Sequence, residues 1–276
     1  MVIKIFVFIF GSMIGSFLNV CIFRMPLEKS VVRPRSYCPA CNKAIPWHDN
    51  IPLLSYTILL GRCRSCKAKI PFSYFIVELL TAVALLLFFN IYGLSFKFFY
   101  YIIFICGLII ATFVDIRHRI IPDEISVGGI IVGLLLNILR FFLPGSLPAG
   151  QAGRLLAASF IINSLLGIII GGGIIYLTAK IFDLVYFKML KKPPIDGETE
   201  SMGGGDVKLL AMIGAFLGWQ GAVLTFFIAP FFGLIVGVIN LISRKEHTIP
   251  YGPFLSLAAV IVLFWSGPII RLFLYK

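Results

Sequence analysis

Apolar segments of about twenty residues recur along almost the whole chain, and one long polar stretch, residues 24–73, interrupts them. Hydrophobic residues make up 59% of the sequence and charged residues 13%, with a mean hydropathy of +1.01. Soluble domains carry about 25% charged residues, so the balance is that of an integral membrane protein. Spans are expected near 2–23, 74–92, 98–115, 124–142, 155–181, 205–218, 219–241 and 252–272. The fold class is therefore all-α and polytopic, with about eight transmembrane helices and a small polar module between the first two. Segment 205–218 is short for a full crossing. Segment 2–23 is expected to stay in place as the first helix, because it lacks a small-x-small cleavage site.

The net charge of +12 raises nucleic acid as a partner, but its distribution points to the bilayer. Eighteen of the 24 Lys and Arg residues fall in four loops, 24–73, 116–123, 180–208 and 243–250. Basic loops stay in the cytoplasm, which sets both termini outside it and leaves no charge for nucleic acid to explain. Small residues recur four apart at Gly11 and Gly15, Gly167 and Gly171, and Gly233 and Gly237. Such spacing lets helix backbones approach closely in lipid, here within one chain. No internal repeat is evident, which argues against the common transporter folds.

The module at 24–73 holds Pro26, Pro34, Pro39, Pro46, Pro52 and Pro71, too many for one long helix. It also holds Cys38-x2-Cys41 and Cys63-x2-Cys66, two chelating pairs separated by 21 residues. Four thiolates at this spacing suit a closed structural Zn²⁺ site, with redox thiols or an iron–sulfur centre as the alternatives. A four-thiolate site has no open position for water, so such a metal is structural. The loop lies on the reducing side, which excludes a disulfide framework. Cys21 and Cys106 lie in apolar runs and read as packing residues.

Two acids sit where a hydrophobic chain tolerates them least. Asp115 closes the apolar run from Tyr100 to Val114, and Asp206 follows Gly203-Gly204-Gly205 at the start of another. An ionisable group at the edge of hydrocarbon marks a functional site. Pro122 fits the start of the next helix and Asp123 its first turn, where an anion suits the dipole. Asp115 has no such explanation, since a helix C-terminus disfavours negative charge. Asp206 at a helix start is favoured as an anion, and the glycines allow a tight turn and the close approach of another chain. Lys208 stands beside it. A carboxylate pair in contrasting settings suits a proton donor and a base that activates water. The sequence does not assign the two roles, because coupled carboxylates titrate as a unit. A proton-relay carrier would also use such a pair, but it leaves the cysteine module unexplained.

These residues form an ordered set that resembles one family, the prepilin peptidases of type IV pilus and type II secretion systems. The matching stretches are Gly15-Ser16-Phe17-Leu18-Asn19-Val20, Arg24-x-Pro26, Ser36-x-Cys38-Pro39-x-Cys41 and Trp47-x2-Asn50-Ile51-Pro52-Leu53-x-Ser55-Tyr56. Gly61-x-Cys63-Arg64-x-Cys66, Ile70-Pro71-x2-Tyr74, Val77-Glu78-Leu79 and Asp115-x6-Pro122-Asp123 follow. Met202-Gly203-x-Gly205-Asp206-x-Lys208-Leu209 and Pro250-x-Gly252-Pro253 complete the set. Phe75 and Thr81-Ala82 depart from the family's usual Pro and Gly.

The resemblance implies a membrane aspartic protease over residues 74–276, with Asp115 and Asp206 catalytic and Gly203, Gly205, Lys208, Pro122 and Asp123 supporting them. It implies prepilin or pseudopilin substrates cut at the cytoplasmic face of the inner membrane. It also implies N-methylation of the new terminus with S-adenosylmethionine as cofactor, with Asn19, Arg24, Asn50 and Glu78 as cofactor contacts. No glycine-rich strand-to-helix motif accompanies them, so a soluble methyltransferase fold is not expected.

Overall fold

The structure is a computed structural model that describes residues 1–142, 151–189, 203–242 and 250–274 of the 276. Among these described residues eight α-helices follow in order: α1 Val2–Arg24, α2 Leu54–Ile58, α3 Ser73–Tyr92, α4 Phe96–His118, α5 Asp123–Phe142, α6 Gln151–Asp183, α7 Gly204–Ile242 and α8 Gly252–Leu274. Among the described residues there are no strands, only two isolated bridges in the polar module. The chain is all-α and multi-pass, as composition predicts. Among the described residues five stretches are long and apolar enough to cross a membrane: Val2–Leu27, Ser73–Tyr92, Phe96–His118, Ala158–Tyr186 and Gly204–Asn240. Gly252–Ser266 is apolar but shorter, so the count of eight spans is not established. Pro193-Pro194 and Asp196-Gly197, dipeptides whose composition predicts turns, and Met202 lie outside the described residues.

The chain divides into two compact units, Met1–Ile110 and Ala111–Lys276. In the first, α1 and α3 pack backbone to backbone. A Cβ on Gly11 would lie 2.7 Å from Ala82 Cα, and one on Gly15 would lie 2.6 Å from Glu78 Cα. Any side chain at either position would push the helices apart. Thr81 and Ala82 are buried at this contact, so α1 carries the glycines and α3 carries the small residues they meet.

In the second unit α7 packs against α5, α6 and α8. Gly167 and Gly214 meet with no room for a side chain on either, and a Cβ on Gly171 would lie 2.6 Å from the Leu210 carbonyl. The third spacing does not behave alike: Gly233 makes only ordinary contact with Phe254, at 3.6 Å. Gly218 breaks α7 with φ 74° and ψ 178°, at the boundary the short segment 205–218 predicted. A break in an apolar helix leaves carbonyls in need of donors. Asn137 Nδ2 donates to the Ala215 carbonyl at 3.2 Å and Ser164 Oγ donates to it at 2.7 Å, tying α5 and α6 to α7.

Candidate active site

Asp115 lies in the last turn of α4. Arg119, with φ 56°, caps the helix by donating its N–H to the Asp115 carbonyl at 2.8 Å. This single left-handed residue ends α4. Pro122 then opens α5, with its carbonyl accepting from the N–H groups of Ile125 and Ser126, both at 3.1 Å. Pro122 lacks a donor that the first turn would leave idle, as the sequence predicts.

The Asp115 carboxylate is buried, at 6% exposure. Its Oδ2 accepts the backbone N–H of Gly252 at 2.9 Å, and Gly252 is the first residue of α8. The positive end of α8 therefore faces this carboxylate and offsets the unfavourable end of α4. The contrast expected between the two aspartates is thereby reduced, since each now lies at a helix start. Sequence reasoning missed Gly252 as a site residue. Its signal was the Pro250-x-Gly252-Pro253 stretch, where only a glycine fits: a Cβ there would stand 2.8 Å from Asp115 Oδ2. Gly252→Ala is expected to displace the carboxylate and lower the catalytic rate by about 10²-fold, the penalty for misplacing a reacting group by ~1 Å. Initial cleavage rates measured beside a thermal melt would separate this from unfolding.

Asp206 is in the first turn of α7, close enough to Asp115 for their charges to interact. Two acids 91 positions apart in sequence are thus brought within electrostatic reach of each other. Tyr251 is a second residue the sequence reading passed over. Burial, and then the nearby Asp206 carboxylate, push its phenol up to about 12.

The glycine run does not form the turn expected of it. Gly204 and Gly205 already belong to α7, and among the described glycines positive φ occurs only at Gly61, Gly93 and Gly218. The close approach does hold at Gly205, where a Cβ would lie 3.1 Å from Ile121 Cβ. A Cβ on Gly203 would lie 3.9 Å from Asp206 Oδ2, and one on Gly204 would meet nothing within 4 Å among the described residues. Lys208 Nζ bonds both Asp123 oxygens, at 2.6 and 2.9 Å, linking the first turns of α7 and α5. Both side chains are well exposed, at 43% and 63%. Lys208→Met is accordingly expected to change stability by only about 0.2–1 kcal/mol, read from the unfolding midpoint.

In the first unit the four cysteines of the module converge. Their sulfurs all lie within 4.8 Å of one another, and Cys38 Sγ is 3.8 Å from Cys66 Sγ. A tetrahedral Zn²⁺ with bonds of ~2.3 Å requires sulfurs about 3.8 Å apart, so the cluster fits that ion. The two knuckles are built alike. The N–H of Cys38 donates to the Lys43 carbonyl at 3.0 Å, and that of Cys63 to the Ala68 carbonyl at 2.9 Å. Asn42 and Lys67, at matching positions, have φ of 56° and 59°.

Backbone N–H groups of Cys66 and Ser65 draw the Cys63 thiol down to about 7. At Cys66 the Ala68 N–H favours the thiolate, but burial and the neighbouring sulfurs outweigh it and push the thiol up to about 11. Four sulfurs this close carry full charge only around a cation.

Beside the knuckles is a cavity of about 230 Å³, and Asn19, Arg24, Asn50 and Glu78 all line it. Three of them are buried and already tied to backbone. Asn19 Nδ2 donates to the Tyr74 carbonyl at 2.9 Å, and Arg24 donates to the carbonyls of Ser30 and Arg35 at 3.0 and 3.4 Å. Glu78 Oε2 accepts the Leu53 N–H at 2.8 Å. Arg24 is therefore more than a loop anchor at the membrane edge: it folds the chain that follows α1 back over that helix. Asn50 is exposed, on the single turn Trp47–Asn50. Arg64 grips Asp49 on that turn through two bonds of 2.7 and 2.6 Å, fixing it to the second knuckle.

Residues 9–92 match the family model described as Bacterial Peptidase A24 N-terminal domain, and residues 102–238 match that of the Type IV leader peptidase family. A protein of Aeromonas salmonicida named "Prepilin leader peptidase/N-methyltransferase" is 33% identical over 297 residues, covering 97% of this chain and 92% of its own length. A Pseudomonas aeruginosa protein of the same name is 33% identical over 291 residues, covering 96% and 91%. One from Myxococcus xanthus is 31% identical over 250 residues, covering 88% and 67%. No solved structure matches the chain.

Proposed function

Because this chain belongs to the prepilin leader peptidase/N-methyltransferase family, we propose that Asp115 and Asp206 hydrolyse the leader peptide bond of type IV prepilins or pseudopilins. The observation that carries this reading is that the two carboxylates, at the ends of membrane helices, lie within electrostatic reach of each other. A prepilin presents a basic leader to the cytoplasm and an apolar helix to the bilayer, so its scissile bond falls at such a boundary. One carboxylate takes a proton from water as the oxygen attacks the carbonyl carbon. The other delivers a proton to the departing nitrogen as the C–N bond breaks, with no covalent intermediate. Gly204, where a Cβ would meet nothing within 4 Å among the described residues, leaves space for an extended substrate backbone near Asp206. Gly252 holds the Asp115 carboxylate in place.

The module at 24–73 carries the structural Zn²⁺ on Cys38, Cys41, Cys63 and Cys66, and residues 74–276 carry the peptidase. The second activity uses the cavity beside the knuckles. S-adenosylmethionine, when bound, supplies the methyl group. Asn19, Arg24, Asn50 and Glu78 would hold it, and the Glu78 carboxylate suits a cationic ligand in a largely apolar pocket. The basic loops support an orientation with both termini outside the cytoplasm, and processing of prepilins at the cytoplasmic face supports an inner-membrane location.

Mass spectrometry of a prepilin coexpressed with the chain tests both activities together. The expected product lacks its leader and is heavier by one CH2 group at its new amino terminus. Recovery of the uncut precursor would overturn the reading.

A further inference from the structure

We propose that α2 and the turn that follows it are seated in the lipid interface, making the zinc module a membrane-docked element rather than a free cytoplasmic one. The argument starts from the place where α2 is fastened. Tyr56 packs on Phe72 and Phe75, with ring centroids 6.1 and 5.5 Å away, and the Leu53 N–H bonds Glu78 of α3 at 2.8 Å. Phe75, the departure from the family's usual Pro, is one of the two rings that receive Tyr56.

Ser73 to Glu78 covers about 7.5 Å of helix axis at the usual rise. The 20 residues of α3 span about 30 Å, the thickness of the hydrocarbon layer, so its first two turns lie at the membrane boundary. α2 therefore sits at that same depth. Leu53 adopts φ 61°, a costly conformation for a branched side chain, and the bond to Glu78 holds it there.

The faces of α2 are unequal. Leu53 and Tyr56 turn to α3, while Leu54 and Ile58, one helical turn apart, are 59% and 73% exposed, and Leu60 just beyond is 84% exposed. A soluble surface would not leave three large apolar side chains of one short segment bare. The exposed apolar surface of α3, with Leu79, Leu80, Val83 and Leu87, begins within two turns of the same place. Exposed Arg62, Lys67 and Lys69 follow directly in sequence, a composition that suits anionic headgroups above an apolar contact. Continuity with the lipid-facing surface of α3 selects lipid as the occupant, ahead of a second copy of the chain or a substrate helix.

The test uses the full chain in vesicles of phosphatidylcholine and phosphatidylglycerol, with Trp47, Trp219 and Trp265 replaced by Phe and Ile58→Trp as the sole indole. The indole is expected to lose more than half of its emission in lipid brominated near the top of the acyl chain, while aqueous iodide leaves it nearly unchanged. Leu60→Trp on the same background should behave alike, and it guards against a local distortion at the first site. Quenching by iodide with none by bromolipid, at both positions, would overturn the proposal in favour of an aqueous module. Insensitivity to both quenchers, with emission that depends on protein-to-lipid ratio, would overturn it in favour of a second copy.

Discussion

Replacing Asp115 by Asn is expected to lower the rate of leader removal by about 10²–10⁴-fold, and Asp206→Asn should do the same. The amide is nearly isosteric with the carboxylate, so its oxygen would still accept the Gly252 N–H and the bundle would still assemble. What it cannot do is take a proton from water or hand one to a leaving nitrogen at neutral pH. On the proposed mechanism both proton transfers are needed in every turnover, so neither group can substitute for the other. The double variant should therefore be no slower than either single one, as is usual for residues that work as a unit. The measurement is the fraction of a prepilin processed over time, with membrane insertion checked by the amount of protein in the membrane fraction. Near-normal processing by either variant would remove that residue from the mechanism.

The second large effect concerns the zinc cluster. Replacing Cys38 and Cys63 by Ser takes one ligand from each knuckle and leaves two thiolates. Structural zinc contributes about 10–16 kcal/mol of apparent binding free energy in small domains, and that binding is coupled to their folding. Besides the metal, the module is held by two isolated bridges, one five-residue helix, the fork between Arg64 and Asp49, the Arg24 bonds to the Ser30 and Arg35 carbonyls, and the fastening of Leu53 and Tyr56 to α3. Metal analysis of the purified chain should fall from one zinc per chain to almost none, and the segment between α1 and α3 should become sensitive to protease. Methylation should be lost with it, because Asn50 and the knuckle residues line the same cavity. Leader cleavage should persist, since it depends on Asp115 and Asp206. Unchanged zinc content would defeat the assignment.

The membrane segments were largely legible because apolar runs have visible ends. The expected 124–142 became Asp123–Phe142, and the split at 218 and 219 became the break at Gly218. The cysteine pairs announced their convergence through spacing alone. Contacts made by backbone groups left no such trace. Nothing in the side-chain pattern says that the Gly252 N–H meets Asp115, or that Arg24 turns inward to the carbonyls of Ser30 and Arg35. Leu53 in a left-handed conformation runs against its own propensity, and only the distant Glu78 makes it possible. The glycine run was misread for a related reason. Three glycines permit an unusual turn but do not require one, and here Gly205 packs closely on Ile121 while Gly203 lies against the Asp206 carboxylate.

Everything proposed for catalysis depends on Asp115 and Asp206 sharing one site. Cross-linking tests this in the intact membrane protein: Asp115→Cys and Asp206→Cys, with Cys21 and Cys106 changed to Ala and the zinc cluster left loaded. A short bifunctional methanethiosulfonate should join the two introduced thiols within one chain, and proteolysis with mass spectrometry should recover the α4 and α7 peptides linked. Recovery of both peptides modified singly, with no link between them, would contradict the account.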